Sequence, residues 1–210
     1  MNSLFVSELY NYIDKGGVVL IILLFFSIIS LSIIFFKLIQ LKKINNKNID
    51  QVENKILASK DLSAFIANKG QPNKTNPYDL IVFTAATILK KNNLKDSEKI
   101  SEISIFANRK VKELETLLPS LEIISQVSPL IGLLGTVIGM ISSFNQLEIG
   151  GSLVDPAVLA GGIWTALLTT AAGLIVAIPA MISHYFFEKK ISVIQDDINH
   201  LVILLNNYHK

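Results

Sequence analysis

The hydrophobic pattern divides this chain into three long apolar runs separated by polar stretches. Val18–Phe36, Ile123–Gln146 and Pro156–Phe187 contain no Asp, Glu, Lys or Arg. A helix of about 20 apolar residues crosses a bilayer core of about 30 Å. The pattern therefore predicts an all-α integral membrane protein with transmembrane helices at 16–38, 118–146 and 157–187. The runs differ in kind. The first is rich in Leu, Ile and Phe, whereas Ser128–Met140 (SPLIGLLGTVIGM) and Gly161–Pro179 (GGIWTALLTTAAGLIVAIP) are filled with Gly, Ala, Thr and Pro. Helices that face only lipid have no need of such residues; helices that pack closely on others, or line a pore, do.

The remaining stretches predict helices that leave the membrane. Residues 1–15 carry Leu4, Phe5, Leu9, Tyr12 and Ile13 at helical spacing, which fits a short amphipathic helix or a frayed terminus. Residues 39–117 read as a helical domain, split by the breaker cluster Gly70–Pro77 (GQPNKTNP). Before it, Val52, Ile56, Phe65 and Ile66 suggest short helices; after it, Leu80–Lys91 suggests another. A longer helix is expected from Asp96 or Ser97, with Glu98 in its first turn. Its apolar positions Ile100, Ile103, Ala107, Val111, Leu114, Leu118 and Leu121 lie close to a heptad spacing. No Gly interrupts it, so it is expected to rise unbroken into the second span, with Pro119 at most kinking it. After a loop at 147–156, the third span continues beyond the membrane as a helix at 188–210, with Ile191, Ile194, Ile198, Leu201 and Leu205 on one face. Packing within the subunit and contacts between copies both explain these stripes.

Charge sets the orientation. Of 19 Lys and Arg, 15 lie between Lys37 and Lys112, three follow the third span, and only Lys15 precedes the first. By the positive-inside rule the N-terminus and the 147–156 loop lie outside, and the middle domain and C-terminus lie in the cytoplasm. The first run is too long for a signal-peptide core and lacks an A-x-A-like cleavage site, so it reads as a retained anchor. The absence of cysteine removes disulfides, thiol catalysis and thiolate metal sites. A net charge of +2 without basic-aromatic interleaving gives no support for nucleic-acid binding. Neither a catalytic motif nor a phosphate loop occurs, and no cofactor or metal is implied.

The candidate functional residues fall on two stripes. On the second span Ser125, Ser128, Gly132, Thr136, Gly139 and Ser143 recur at three- and four-residue steps, with Gly135 beside them. On the third, Gly162, Ala166, Thr170, Gly173, Ala177 and Ala180 do the same, flanked by Gly161, Thr165 and Thr169. Close helix packing and a hydroxyl-lined lumen both fit. Packing is the plainer reading for Gly135, Gly162, Ala166, Gly173 and Ala177. Thr136, Thr165, Thr170, Thr169, Ser128, Gly132, Gly139 and Ser143 are the candidates for an ion pathway. Pro129 and Pro179 each remove a helical hydrogen bond inside a span and are candidate kinks. No charged residue stands near mid-membrane. Glu122 and His184 lie toward the cytoplasmic ends, and Asp155 is placed to cap the third span.

These segments resemble the second and third transmembrane signatures of the ExbB/TolQ/MotA proton-channel family, above all its ExbB/TolQ branch. The resemblance implies a bacterial inner-membrane protein with its N-terminus in the periplasm and its C-terminus in the cytoplasm. It implies a homopentamer around two single-span partners of the ExbD/TolR type, whose membrane aspartate carries protons. Proton flow would then energise an envelope-spanning TonB- or TolA-like protein. It assigns Thr136, in GLLGTVIG, and Thr170, at the end of ALLTT, to the lumen beside that aspartate. There is one departure: the family pattern G-I-x-E-A-L reads Gly162-Ile163-Trp164-Thr165-Ala166-Leu167 here. Threonine exchanges no proton at physiological pH, so the ionisable group would have to come from the partner. The expected function is a stator subunit of an ion-driven motor. A non-conducting scaffold subunit is the alternative, and a solute-transporter subunit is weaker because no inverted repeat is present.

Overall fold

The computed structural model describes residues 2–44, 76–90, 95–150 and 156–208. Every regular element among them is a helix: α1 (Asn2–Lys42), α2 (Pro77–Leu89), α3 (Asp96–Glu115), α4 (Leu118–Gly150) and α5 (Pro156–Tyr208). Three helical stretches are long and apolar enough to cross a membrane, as the hydrophobic runs predict: Gly17–Lys42, Asp96–Ile149 and Leu159–Asn206. The expected short helices around Val52–Ile66, most of the Gly70–Pro77 breaker and the Asp155 cap lie outside the described residues.

Local chemistry sets the ends of the helices. In α1, Gly17 has φ 58° and ψ −150°. This conformation is closed to a side chain but open to glycine, so it separates a leading helix from the apolar span. The side chains of residues 2–16 lie outside the described ones. The helix α2 starts three residues before the expected Leu80. Asn76 caps it, its side-chain oxygen accepting from Tyr78 N at 3.1 Å, and Pro77 supplies the preset φ of a first turn. At the start of α3, the Glu98 carboxylate accepts from Lys95 N at 3.0 Å.

The unbroken helix expected from Asp96 into the second span is not found. Thr116 leaves the helical region at φ −50°, ψ 137°, and Leu117 takes φ 72°. With two residues out of register, α4 begins afresh at Leu118, and Pro119 falls in its first turn, where the missing N–H costs nothing. At its other end α4 passes the expected boundary at 146 and runs to Gly150. Asn145–Ile149 contain neither Gly nor Pro to stop it.

The chain forms two compact units: Met1–Phe35 with Leu117–Tyr185, and Phe36–Thr116 with Phe186–Lys210. In the first, large apolar side chains such as Phe25, Leu130, Ile141 and Ile175 point outward, while small residues such as Ala166, Ala177 and Ala180 are buried. That inversion suits a lipid solvent. The second has a water-type core of Ile81, Val82, Ile103, Val111, Ile194, Ile198, Leu201 and Leu205. Its largest fully buried side chain is Tyr78, whose hydroxyl donates to Asp197 Oδ2 at 2.8 Å.

Candidate functional site

The small stripes of α4 and α5 meet within one chain and form a seam. Gly132 faces Gly173 backbone to backbone. A Cβ on Gly132 would stand 2.7 Å from the Thr169 carbonyl oxygen, and one on Gly173 would stand 2.6 Å from that of Ser128. One turn on, a Cβ on Gly135 would meet the Thr169 side chain at 2.5 Å and Val19 of α1 at 2.9 Å. Further along, Gly139 rests on Ala166, and Gly162 rests on Ser143 with no room for a methyl group. Each contact needs the absence of a side chain; this is what the glycines do.

Hydroxyls close the same seam. Thr169 Oγ1 donates to Gly132 O at 3.0 Å and to Ala166 O at 2.7 Å, and Thr170 Oγ1 donates to the same Gly132 O at 3.2 Å. Gly132 O lies one turn from Pro129 and serves as the common acceptor for both threonines. Ser128 Oγ donates to Ile124 O at 2.6 Å and Ser143 Oγ to Gly139 O at 2.9 Å, each along its own helix. Ser128, Ser143 and Thr169 are buried. No buried side-chain polar atom among the described residues lacks a partner.

The eight candidates for an ion pathway therefore separate. Ser128, Gly132, Gly139, Ser143 and Thr169 stand between α4 and α5 of one chain, and Thr170 lies at the seam's edge, half-buried. Thr136 and Thr165 stand off it and face different hollows. Thr136 lines one of about 570 Å³ with Met140, Phe144 and Glu148. Thr165 lines another of about 730 Å³ with Gly17, Val19 and Trp164, and the seam's own Gly139, Ser143 and Thr169 border the same hollow. Their hydroxyls donate along their own helices, to Leu133 O at 2.6 Å and Gly161 O at 2.9 Å. Each therefore keeps acceptor capacity for an incoming donor. Pro129 and Pro179 both sit inside continuous helices. At one end of this unit His184 Nε2 lies 4.0 Å from Glu122 Oε2, which joins two residues that sequence reading treated separately. Among the described residues no group of His, Asp or Glu is arranged to hold a metal.

Three long apolar helices, two of them joined through a glycine-threonine seam, define a polytopic membrane protein. Residues 74–200 match the MotA/TolQ/ExbB proton channel family. The chain belongs to that family. It is 34% identical over 100 residues to the Tol-Pal system protein TolQ of Haemophilus influenzae, covering 48% of this chain and 43% of that protein. It is 48% identical over 61 residues to the biopolymer transport protein exbB1 of Vibrio cholerae, covering 29% and 27%. Along almost the whole chain it is 28% identical to a putative biopolymer transport protein, ExbB-like 1, of Helicobacter pylori, covering 90% of each. The chain thus spans less than half the length of the first two relatives.

Proposed function

We propose that this chain is the multi-span stator subunit of an ion-driven motor in the bacterial inner membrane. Five copies surround a pair of ExbD/TolR-like single-span proteins, and proton-motive force is coupled to a TonB- or TolA-type envelope-spanning protein. The N-terminus is periplasmic and the C-terminus cytoplasmic, in keeping with the lysine distribution. One observation carries the reading. The α4–α5 seam closes within a single chain, and Thr136 stands off it in an open hollow whose described lining comes from α4 alone, leaving room for a helix of another chain. In this scheme Thr136, with Thr170 at the seam's edge, offers hydroxyls to the partner's membrane carboxylate, and Thr165 lines the approach.

The test is the native mass of the complex in detergent, with the neighbouring single-span protein co-expressed. Five copies holding two partners are expected; a monomer or dimer indifferent to the partner would sink the proposal. A non-conducting scaffold is the second reading, favoured by Thr165, whose hydroxyl is bonded to Gly161 O and carries no exchangeable charge. Proton flux through the assembled complex in vesicles separates the two.

A further inference from the structure

The second unit contains a groove of about 340 Å³ that the seam and its hydroxyls do not involve. One wall is the last turns of the first apolar span, through Phe36, Ile39 and Ile44; the facing wall includes Leu80 of α2 and Lys110 of α3. Phe36 and Ile39 are about half exposed, at 54% and 51%, so this wall offers open apolar surface. Lys43 and Lys110 also line the groove, with a single carboxylate, Glu113, whose two oxygens Lys110 binds at 2.9 and 2.8 Å. Apolar side chains and two cations in one groove match the acyl chain and anionic headgroup of a lipid.

A buried charge behind the groove adds a second argument. Lys37 is fully buried, and among the described residues its Nζ donates to two neutral oxygens: Leu114 O at 2.7 Å and Gln40 Oε1 at 2.9 Å. Both acceptors belong to residues that line the groove. No carboxylate among the described residues pairs with Lys37, and a buried cation without a counter-charge is costly. An anion held in the groove would supply that counter-charge on the far side of residues that Lys37 itself bonds.

We propose that this groove binds one anionic phospholipid of the cytoplasmic leaflet. Its acyl chain lies along Phe36, Ile39 and Leu80, its phosphate meets Lys43 and Lys110, and Lys37 reinforces the field from behind. The choice of leaflet rests on the inside-positive orientation given under Proposed function; the binding itself does not.

The experiment is native mass spectrometry of the full chain in detergent, titrated with phosphatidylglycerol or phosphatidylcholine of the same acyl chains. One phosphatidylglycerol per chain should be retained, at about tenfold lower concentration than phosphatidylcholine. Lys43→Gln with Lys110→Gln should abolish the preference, whereas Lys189→Gln with Lys190→Gln, an equal loss of charge elsewhere, should preserve it. Ile39→Asn, at an exposed position, should weaken retention with every charge in place, so the idea stays testable if the lysine variant misfolds. Equal retention of the two lipids, equal loss in both lysine pairs, or displacement by glycerol phosphate at the lipid's own concentration would each overturn the proposal. No retention at all would do the same. Detergent has no sides, so the leaflet is tested apart, by labelling Ser59→Cys in this cysteine-free chain. Labelling from outside alone would overturn the orientation and leave the lipid site standing.

Discussion

The two units bury opposite kinds of residue on the same helix. Along α5, the buried positions up to residue 180 include Ala166, Thr169, Gly173, Ala177 and Ala180; beyond it they are Phe187, Ile191, Ile194, Ile198, Leu201 and Leu205. Within each unit these positions recur at steps of three and four. What changes is the solvent outside. In water, removing Ile and Leu from solvent is itself the driving force. In lipid that force vanishes, because acyl chains are as apolar as leucine, and close backbone approach with interhelical hydrogen bonds takes over. The same periodicity therefore hides two physical mechanisms, which should respond differently to mutation.

The largest effect is expected in the seam. Gly173→Val puts a Cβ 2.6 Å from the Ser128 carbonyl oxygen, a backbone atom that cannot turn aside. Loss of the folded, monodisperse protein on size-exclusion chromatography is expected. Gly161→Ala is the control, since nothing lies within 4 Å of its new methyl group and no change should be seen. If both were tolerated, the seam would not be what holds the spans together. In the second unit the reverse rule applies: Ile198→Ala, at 1% exposure, should cost about 2–5 kcal/mol through a cavity. Chemical denaturation followed by circular dichroism would measure it. A cost below about 1 kcal/mol would mean that the core collapses into the space.

A smaller effect concerns Tyr78, buried in that core. Burial and the neighbouring Asp197 carboxylate raise the Tyr78 phenol well above its ordinary value of 10.0. An acid whose pKa is raised by folding stabilises the protein while it stays protonated in both states. That contribution is therefore complete below about pH 10, and is lost progressively as pH rises above it. In Tyr78→Phe this share of the alkaline loss should vanish, and stability at neutral pH should fall by about 1–2 kcal/mol with the hydrogen bond. Identical pH profiles for both proteins would remove the pair as the cause.

Much of this architecture is legible in the residues, and what is not has identifiable causes. Three spans follow from uncharged runs, and the faces of α4 and α5 follow from the steps between small residues. The start of α2 is also readable, since Asn76-Pro77 is a cap followed by a first-turn proline, whereas the apolar periodicity begins only at Leu80. The break at Thr116–Leu117 was not readable. Glycine normally marks φ above zero, yet here a leucine adopts it, held by the structure on either side. Leu117→Gly should therefore raise stability by about 1 kcal/mol, because leucine bears a steric cost there that glycine does not. A decrease on thermal denaturation would show that the Leu117 side chain, 38% exposed, contributes more than the strain. Periodicity also could not divide the hydroxyls. It assigns a residue to a face, but whether that face meets a neighbouring helix or an open hollow depends on helix rotation. Thr169 and Thr165 are four residues apart, and only one of them is buried.

The smallest effect isolates that division. Thr169→Val keeps the shape of the side chain but removes the donor to Gly132 O and Ala166 O. An interhelical hydrogen bond in a membrane contributes about 0.6 kcal/mol on average, and Thr170 already donates to the same Gly132 oxygen. The expected loss is therefore about 0.5 kcal/mol, with the complex still assembled. Thr165→Val, whose hydroxyl bonds only within its own helix, should leave stability unchanged. Under the motor reading it should instead alter ion flux. The pair thus crosses over: Thr169→Val acts on denaturation, and Thr165→Val acts on flux in vesicles holding the full complex. Should Thr169→Val abolish flux at full stability while Thr165→Val leaves flux intact, the seam hydroxyl would be part of the pathway. The contrast between packing and conducting hydroxyls would then have to be redrawn along α5.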